Sequence, residues 1–322
     1  MNAQFFQELP LSSQNRTGWP WTPSFDYLIQ PSHPGSSLPK ISVVMPSFRQ
    51  SKYLEECIRS ILLQNYPDIE LIIHDGGSGP EVLNILRKYD PWISYWVSEP
   101  DRGQSHAVNK GILKSTGSVI FWINSDDVCL PGAFQKVMQI FLENPEVKIV
   151  SGQARVIDSS SVTTGTLRSY YKDWYEIVTN PGNSLRQVST FFHRSIFDEC
   201  GLLDESLNEA MDTEFLIRAT EHHRPIVLND ELAAFRDHPE AKTSQFLLSG
   251  YEESDRTRNR YFYNKAVRKQ YKKRSAIHWL NIAKMDGQQA SEKARCLNNV
   301  LANDPTMLFR SIFWITVLGF PR

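Results

Sequence analysis

Two adjacent carboxylates, Asp126 and Asp127, close the apolar run Ser118–Ile123 in the stretch SVIFWINSDDVCLP. Acids at the mouth of a buried strand call for a cation, because an unpaired charge in apolar surroundings is costly. A hard divalent ion, Mg2+ or Mn2+, suits them, since such ions take carboxylate oxygens and bridge to phosphates. From these residues alone, a solvated acidic turn with Pro131 opening the next helix is an equal reading. A second acidic pair, Asp212 and Glu214, falls near the start of a helical pattern at Asn208–Thr220, where acids suit the helix dipole. Arg218 lies four residues beyond Glu214, the spacing of an intrahelical ion pair. His238 and Lys242 fall in a polar loop, Arg236–Thr243.

The elements that must position these groups begin at Lys40. Ile41–Met45, Ile69–Ile73, Ile93–Val97 and Ser118–Ile123 are short apolar runs typical of strands buried on both faces. Amphipathic stretches separate them, for instance the stripe Leu54, Ile58, Ile61 and Leu62. This alternation predicts an α/β fold with a mostly parallel sheet flanked by helices on both faces. Four loops, at 46–50, 74–79, 99–105 and 124–128, then converge at the carboxyl edge of the sheet, where ligands bind in such folds. No GxGxxG follows the first strand, which argues against a dinucleotide-binding dehydrogenase.

Outside that block, residues 1–39 read as an irregular extension with a packing cluster at Trp19-Pro20-Trp21. Residues 153–186 read as an irregular polar rim, and Ile226–Leu228 as a short strand. Residues 246–322 read as a helical C-terminal extension, leaving 40–245 as the main domain. Within the extension, Asp255–Arg274 is basic and interleaved with tyrosines. It is either a solvated helical face or a patch for an anionic lipid or acceptor. Met307–Phe320 is apolar but carries Arg310 and is too short to span a bilayer. It reads as a docking helix or an in-plane membrane contact. The chain has 322 residues, 41% of them apolar, with a formal charge of −1, so charge makes no case for nucleic acid. The cysteines (Cys57, Cys129, Cys200, Cys296) form no CxxC pair and no disulfide pattern. With no basic-then-apolar leader, they support a cytoplasmic expectation, with peripheral contact at the inner face of the membrane as the variant.

Five segments in order, KISVVMPSFRQ (40–50), DGGS (75–78), EPDRGQSHAVNKG (99–111), NSDD (124–127) and LDESLNEAMDTEFLIR (203–218), resemble glycosyltransferase family 2. The resemblance covers roughly residues 40–245. It implies a GT-A (Rossmann-like) fold and an enzyme of the polysaccharide-building type that inverts the anomeric centre. Such an enzyme moves a sugar from a UDP- or dTDP-linked donor to a glycan or lipid-linked acceptor. It further implies that Pro46, Ser47, Phe48, Asp75, Gly77, Asp101, Arg102, Gly103, Asn109, Asn124, Ser125 and Asp126 lie along the donor. In this reading Asp75 accepts from a base imide or simply closes an Asx-turn, and Arg102 meets a phosphate or Glu99. Asn124 stands where the family often has the first acid of Asp-x-Asp. The metal then falls to Asp126, Asp127 and His238, and Lys242 touches a phosphate. Asp212 matches the general base, with Met211 where many members carry an acid and Glu214 as runner-up. Gln187, Phe191 and Phe192 match the acceptor side. The alternatives are a nucleotidyltransferase that builds nucleotide-sugars, or a nucleotide-binding relative without catalysis.

Overall fold

Strand β1, Ile41–Ser47, is buried at all seven positions, because both faces of the sheet are covered. Its side chains alternate between two cores. Ile41, Val43 and Met45 enter one, and Val44 enters the other. The computed structural model describes residues 9–10, 16–22, 38–285, 289–309 and 313. Most of the N-terminal extension and the apolar run beyond residue 309 lie outside the described residues. Within the extension, the Trp19 indole donates to the Cys129 carbonyl at 2.8 Å, so this cluster packs as expected.

In chain order the strands are β1, β2 (Ile69–Asp75), β3 (Tyr95–Ser98), β4 (Val119–Trp122), β5 (Val128–Cys129), β6 (Ile149–Ile157), β7 (Thr163–Leu167), β8 (Thr190–His193) and β9 (Ile226–Arg236). The helices are α1 (Ser51–Leu62), α2 (Pro80–Tyr89), α3 (Gln104–Lys114), α4 (Ala133–Glu143), α5 (Trp174–Thr179), α6 (Ser195–Cys200), α7 (Met211–His222), α8 (Lys242–Gln245), α9 (Leu247–Asn259), α10 (Lys265–Ala283) and α11 (Ala290–Asn303). One sheet runs β3-β2-β1-β4-β8-β6-β9-β5, with β7 paired to β6. The β3-β2-β1-β4 half is parallel, as the alternating pattern predicts. Beyond it β8 runs antiparallel to both β4 and β6, so the second half is mixed.

Two expectations need correction. The stretch 153–186 is not an irregular rim. It completes β6, forms β7 and ends in α5, whose Asp173 side chain caps the Glu176 amide. β7 (TTGTL) is almost wholly exposed, so it has no apolar alternation to betray it. The strand at Ile226 is eleven residues long rather than three, and it carries the chain to Arg236 at the sheet edge.

Helix α1 packs Leu54, Cys57, Ile58 and Ile61 on one sheet face, and α3 packs Val108 and Ile112 on the other. Gly111 lets α3 lie directly on β1, because a Cβ there would sit 2.4 Å from Val44 Cγ1. The second core also takes Phe262, Val267 and Tyr271 from the C-terminal helices. The basic run is not one helix. Asn264 caps the start of α10 by accepting from the Val267 amide at 2.8 Å.

Candidate active site

The strand order turns between β1 and β4, so the loops after these strands border one crevice. Asp126 follows β4. Its Oδ2 accepts from Gln50 Nε2, after β1, at 3.2 Å. The same oxygen stands 3.2 Å from Nε2 of His238, 112 residues later in the chain. The His238 side chain is wholly buried and its Nδ1 faces Glu240 at 3.1 Å. Hydrogen bonding to Asp126 raises the His238 pKa, burial opposes this, and Glu240 adds to the rise. The Tyr53 ring tilts against the imidazole at 4.7 Å.

Asp127 turns the other way. It is 1% exposed, and its Oδ1 accepts from the Arg236 amide at 2.9 Å. Burial, then the neighbouring Asp126, pushes its pKa well up. This carboxyl therefore ties the turn to β9, a role its position beside Asp126 did not reveal. Arg236 completes the support. Its Nε donates to the Asp126 carbonyl at 2.7 Å, and its Nη2 lies 3.2 Å from Glu56 in a fully buried ion pair. Its guanidinium lies 4.5 Å over Tyr53.

A hard ion bound with a diphosphate needs only one or two protein donors, since phosphate oxygens and water supply the rest. Asp126 offers one such oxygen donor, with the His238 imidazole 3.2 Å beside it. Among the described residues no cluster of three or more acidic, histidine or cysteine side chains forms an all-protein cage.

Across the crevice, Asp75 is 1% exposed and ties its own loop. It closes an Asx-turn by accepting from the Gly77 amide at 3.2 Å and the Ser78 amide at 2.9 Å, and it also accepts from the Ser78 hydroxyl and from Ser98 Oγ at 2.6 Å. Gly76 has no room for a side chain. A Cβ would lie 3.0 Å from both Phe48 Cδ2 and Asp101 Oδ2, which places those two residues side by side. Phe48 itself is 55% exposed, an aromatic face at the mouth of the loop, with the Arg49 guanidinium 4.8 Å from its ring. Gly77 and Gly103 have positive φ, 82° and 117°, which favours glycine. Asp101 accepts from the Gly103 amide at 2.8 Å. Pro46 and Ser47 end β1, and the buried Ser47 hydroxyl has no hydrogen-bond partner among the described residues. Ser125, in the turn after β4, is buried.

Arg102 pairs with Glu205 at 2.6 Å, not with Glu99, which pairs instead with Lys110. Asn109 is buried in α3. Its Nδ2 donates to the Leu203 carbonyl and its Oδ1 accepts from the Leu203 amide, both at 3.0 Å, so it pins the turn before α7. Phe191 and Phe192 offer no face to an acceptor. Phe191 stacks on Phe121 at 4.1 Å in one core, and Phe192 packs on Phe215 at 5.3 Å in the other. Adjacent strand residues point to opposite faces, and here both faces are covered. Gln187 is partly exposed and donates to the Trp122 carbonyl at 2.6 Å.

Asp212 stands in the first turn of α7, partly exposed, with Oδ1 accepting from the Thr213 amide at 2.6 Å. Burial raises its pKa, and the Thr213 hydrogen bonds and the Arg258 and Lys242 charges only partly offset that. Lys242 links the two sides. It donates to Gln104 Oε1 at 3.4 Å and to the Asn208 carbonyl, while Gln104 Nε2 donates to Asn124 Oδ1 at 2.7 Å. Glu214 holds Arg218 at 2.7 Å, the ion pair its spacing predicts.

The sequence reading missed three groups. Gln50 and Gln104 carry no charge to mark them, and Arg236 works through backbone carbonyls. The only signal for Gln50 was its place at the end of the first converging loop.

Residues 42–201 match the family described as glycosyl transferase family 2. An uncharacterized glycosyltransferase of Nostoc sp. is 30% identical over 154 residues, covering 45% of this chain and 47% of the relative. The chain thus spans about half the length of that relative. Among solved structures, Staphylococcus aureus TarS 1–349 in complex with UDP-GlcNAc superposes with a TM-score of 0.54 at 17% identity, over 87% of this chain and 80% of that one. Mannosyltransferase PcManGT from Pyrobaculum calidifontis, with GDP-Man and Mn2+, gives 0.51 at 16%, over 88% and 75%. At these identities the likeness is one of fold.

Proposed function

We propose that this chain, which belongs to glycosyl transferase family 2 through residues 42–201, transfers a sugar from a nucleoside-diphosphate donor to a hydroxyl of a glycan or lipid-linked acceptor, with inversion. The observation that carries this reading is the meeting of Asp126 and His238 at 3.2 Å in the β1–β4 crevice, joined through Asn124, Gln104 and Lys242 to the side where Asp212 stands.

In this reading the exposed Phe48 ring offers a stacking face to the base, a uracil or thymine, beside the loop that Asp75 and Gly76 shape. Asp101, beside that ring, and the Gly77 and Gly103 backbones border the donor. Arg102, held by Glu205, stays at the rim. Asp126 and His238 hold Mg2+ or Mn2+, which when bound offsets the negative charge of the departing diphosphate. Asp127 supports that site from behind by fixing the turn to β9. Lys242 adds a fixed positive charge on the opposite side, where a phosphate oxygen can replace its present partners. Asp212 takes the proton of the attacking hydroxyl, and its raised pKa makes it a stronger base than an exposed aspartate. The hydroxyl attacks from the face opposite the leaving group, which is what inverts the anomeric carbon.

The two fold neighbours were solved with UDP-GlcNAc and with GDP-Man and Mn2+, which supports a nucleotide-sugar as the donor class. The decisive experiment is calorimetry against UDP-, dTDP- and GDP-sugars with and without Mn2+. Uridine or thymidine donors are expected to bind only with metal, and Asp126→Asn to abolish that metal-dependent binding. Metal-independent binding that Asp126→Asn leaves unchanged would overturn the assignment.

A further inference from the structure

The first turns of α10 carry five cations, Lys265, Arg268, Lys269, Lys272 and Lys273, all exposed. Spacings of three and four residues put them on one face of the helix. Together with Asn303, Asp304 and Thr306 they line a concavity of about 510 Å3. Other cations of the C-terminal helices find acceptors. Arg260 meets Asp204 at 3.3 Å, Arg274 meets Glu176 at 2.6 Å, and buried Arg258 bonds the Val178 carbonyl at 3.0 Å. Among the described residues none of the five has a salt-bridge partner. The one acid on the wall, Asp304, is occupied by the Thr306 amide and hydroxyl at 3.1 and 2.5 Å.

The arrangement works against the helix. Lys265/Lys269, Arg268/Lys272 and Lys269/Lys273 are like-charge pairs at i,i+4, which destabilise. Cations in the first turn also oppose the helix dipole, and no acid stands there to relieve them. Such a field is poorly explained as solvated surface.

We propose that this face docks on a membrane surface bearing anionic phospholipid headgroups. Two observations favour a lipid surface over a soluble polyanion. The five side chains are long and exposed, so they act as a diffuse field rather than as convergent, buried groups that fix one ligand. The charge of the molecule is also divided. Residues 246–322 hold fourteen basic residues against six acidic ones, a formal +8, which leaves residues 1–245 at −9. An anionic surface therefore attracts the C-terminal helices and repels the rest, which orients the molecule.

The test is flotation of the full chain with vesicles of phosphatidylcholine alone or mixed with phosphatidylglycerol. Binding is expected only to the mixed vesicles and is expected to weaken as salt rises. The double substitution Lys269→Glu with Lys272→Glu should reduce it by more than about tenfold. It should leave the thermal transition in place, because both side chains are exposed and it breaks up the like-charge pairs. Failure to bind mixed vesicles, equal binding to neutral ones, or indifference to the double substitution would each overturn the proposal. So would tight binding of inorganic polyphosphate without vesicle binding, which would assign the face to a soluble polyanion. None of these readouts depends on sugar transfer.

Discussion

At the level of single residues, Asp212 shows how a reactive group is kept at some expense to folding. Burial raises its pKa above the ordinary 3.8. The folded chain therefore holds the proton more tightly than the unfolded chain, and the ionised group opposes folding. That penalty is complete above the folded-state pKa, shrinks as pH falls through it, and is gone below the unfolded value. Asp212→Asn is thus expected to melt at or above the wild-type temperature near neutral pH, with any gain fading toward acid pH. Sugar transfer should fall by roughly 10²–10⁴-fold, the usual worth of a general base. Wild-type turnover should lose activity on the acid side at a pH above the ordinary aspartate range. A variant that melts lower at neutral pH, or that keeps full turnover, would show the carboxylate to be structural. Residue type and position drew attention to Asp126 at its strand end, whereas the roles expected of His238 and Asp212 came from the family resemblance and not from their chemistry alone. The resemblance put Phe191 and Phe192 on the acceptor side, but their aromatic faces are spent in the two cores, and the amide of Asn109 is engaged by Leu203.

The helix that carries Asp212 is held by another element. Among the described groups, Ala210 before α7 supplies no side-chain cap. Instead Glu253 of α9 reaches across, its Oε2 accepting from the amides of Asn208 at 3.1 Å, Glu209 at 2.5 Å and Ala210 at 2.8 Å. A carboxylate there satisfies amides that the helix cannot and complements its dipole. Arg258, also on α9, donates to Asn183, which in turn bonds Thr213 next to Asp212 at 3.1 Å. Glu253→Ala is expected to lower stability by about 1–3 kcal/mol in denaturant unfolding. It should lower kcat more than it changes donor affinity, and Glu253→Gln should recover part of the loss. Equal damage from both substitutions would leave the carboxylate without a special role. None of this was legible in the sequence, where Glu253 is one acid among many in a polar helix. The parallel half of the sheet was legible, because strands covered on both faces are apolar throughout. The two-residue β5 and the exposed β7 were not, because their pairing depends on β9 and β6 rather than on their own side chains.

Across the whole molecule, the C-terminal helices are less separable than a boundary near residue 245 suggests. Phe262, Val267 and Tyr271 lie in the same apolar cluster as Val44 of β1, Ile120 and Trp122 of β4, and Phe215 of α7. Among the described residues, only the outer cluster, with Trp279, Cys296 and Val300, belongs to the extension alone. A chain ending at residue 245 would uncover the first cluster and strip Glu253 and Arg258 from α7 in one step. Buried side chains of that size are worth about 1.5–3 kcal/mol each, against a total stability of only about 5–15 kcal/mol. Such a chain is therefore expected to be insoluble or to lack a cooperative thermal transition. A chain ending at residue 285 keeps α9 and α10 over the sheet and uncovers only the outer cluster, so it should melt lower but still cooperatively. Calorimetry of the two truncations separates the cases. A cooperative transition in the shorter chain, at a temperature close to that of the full protein, would mean that the sheet and α7 stand without the C-terminal helices.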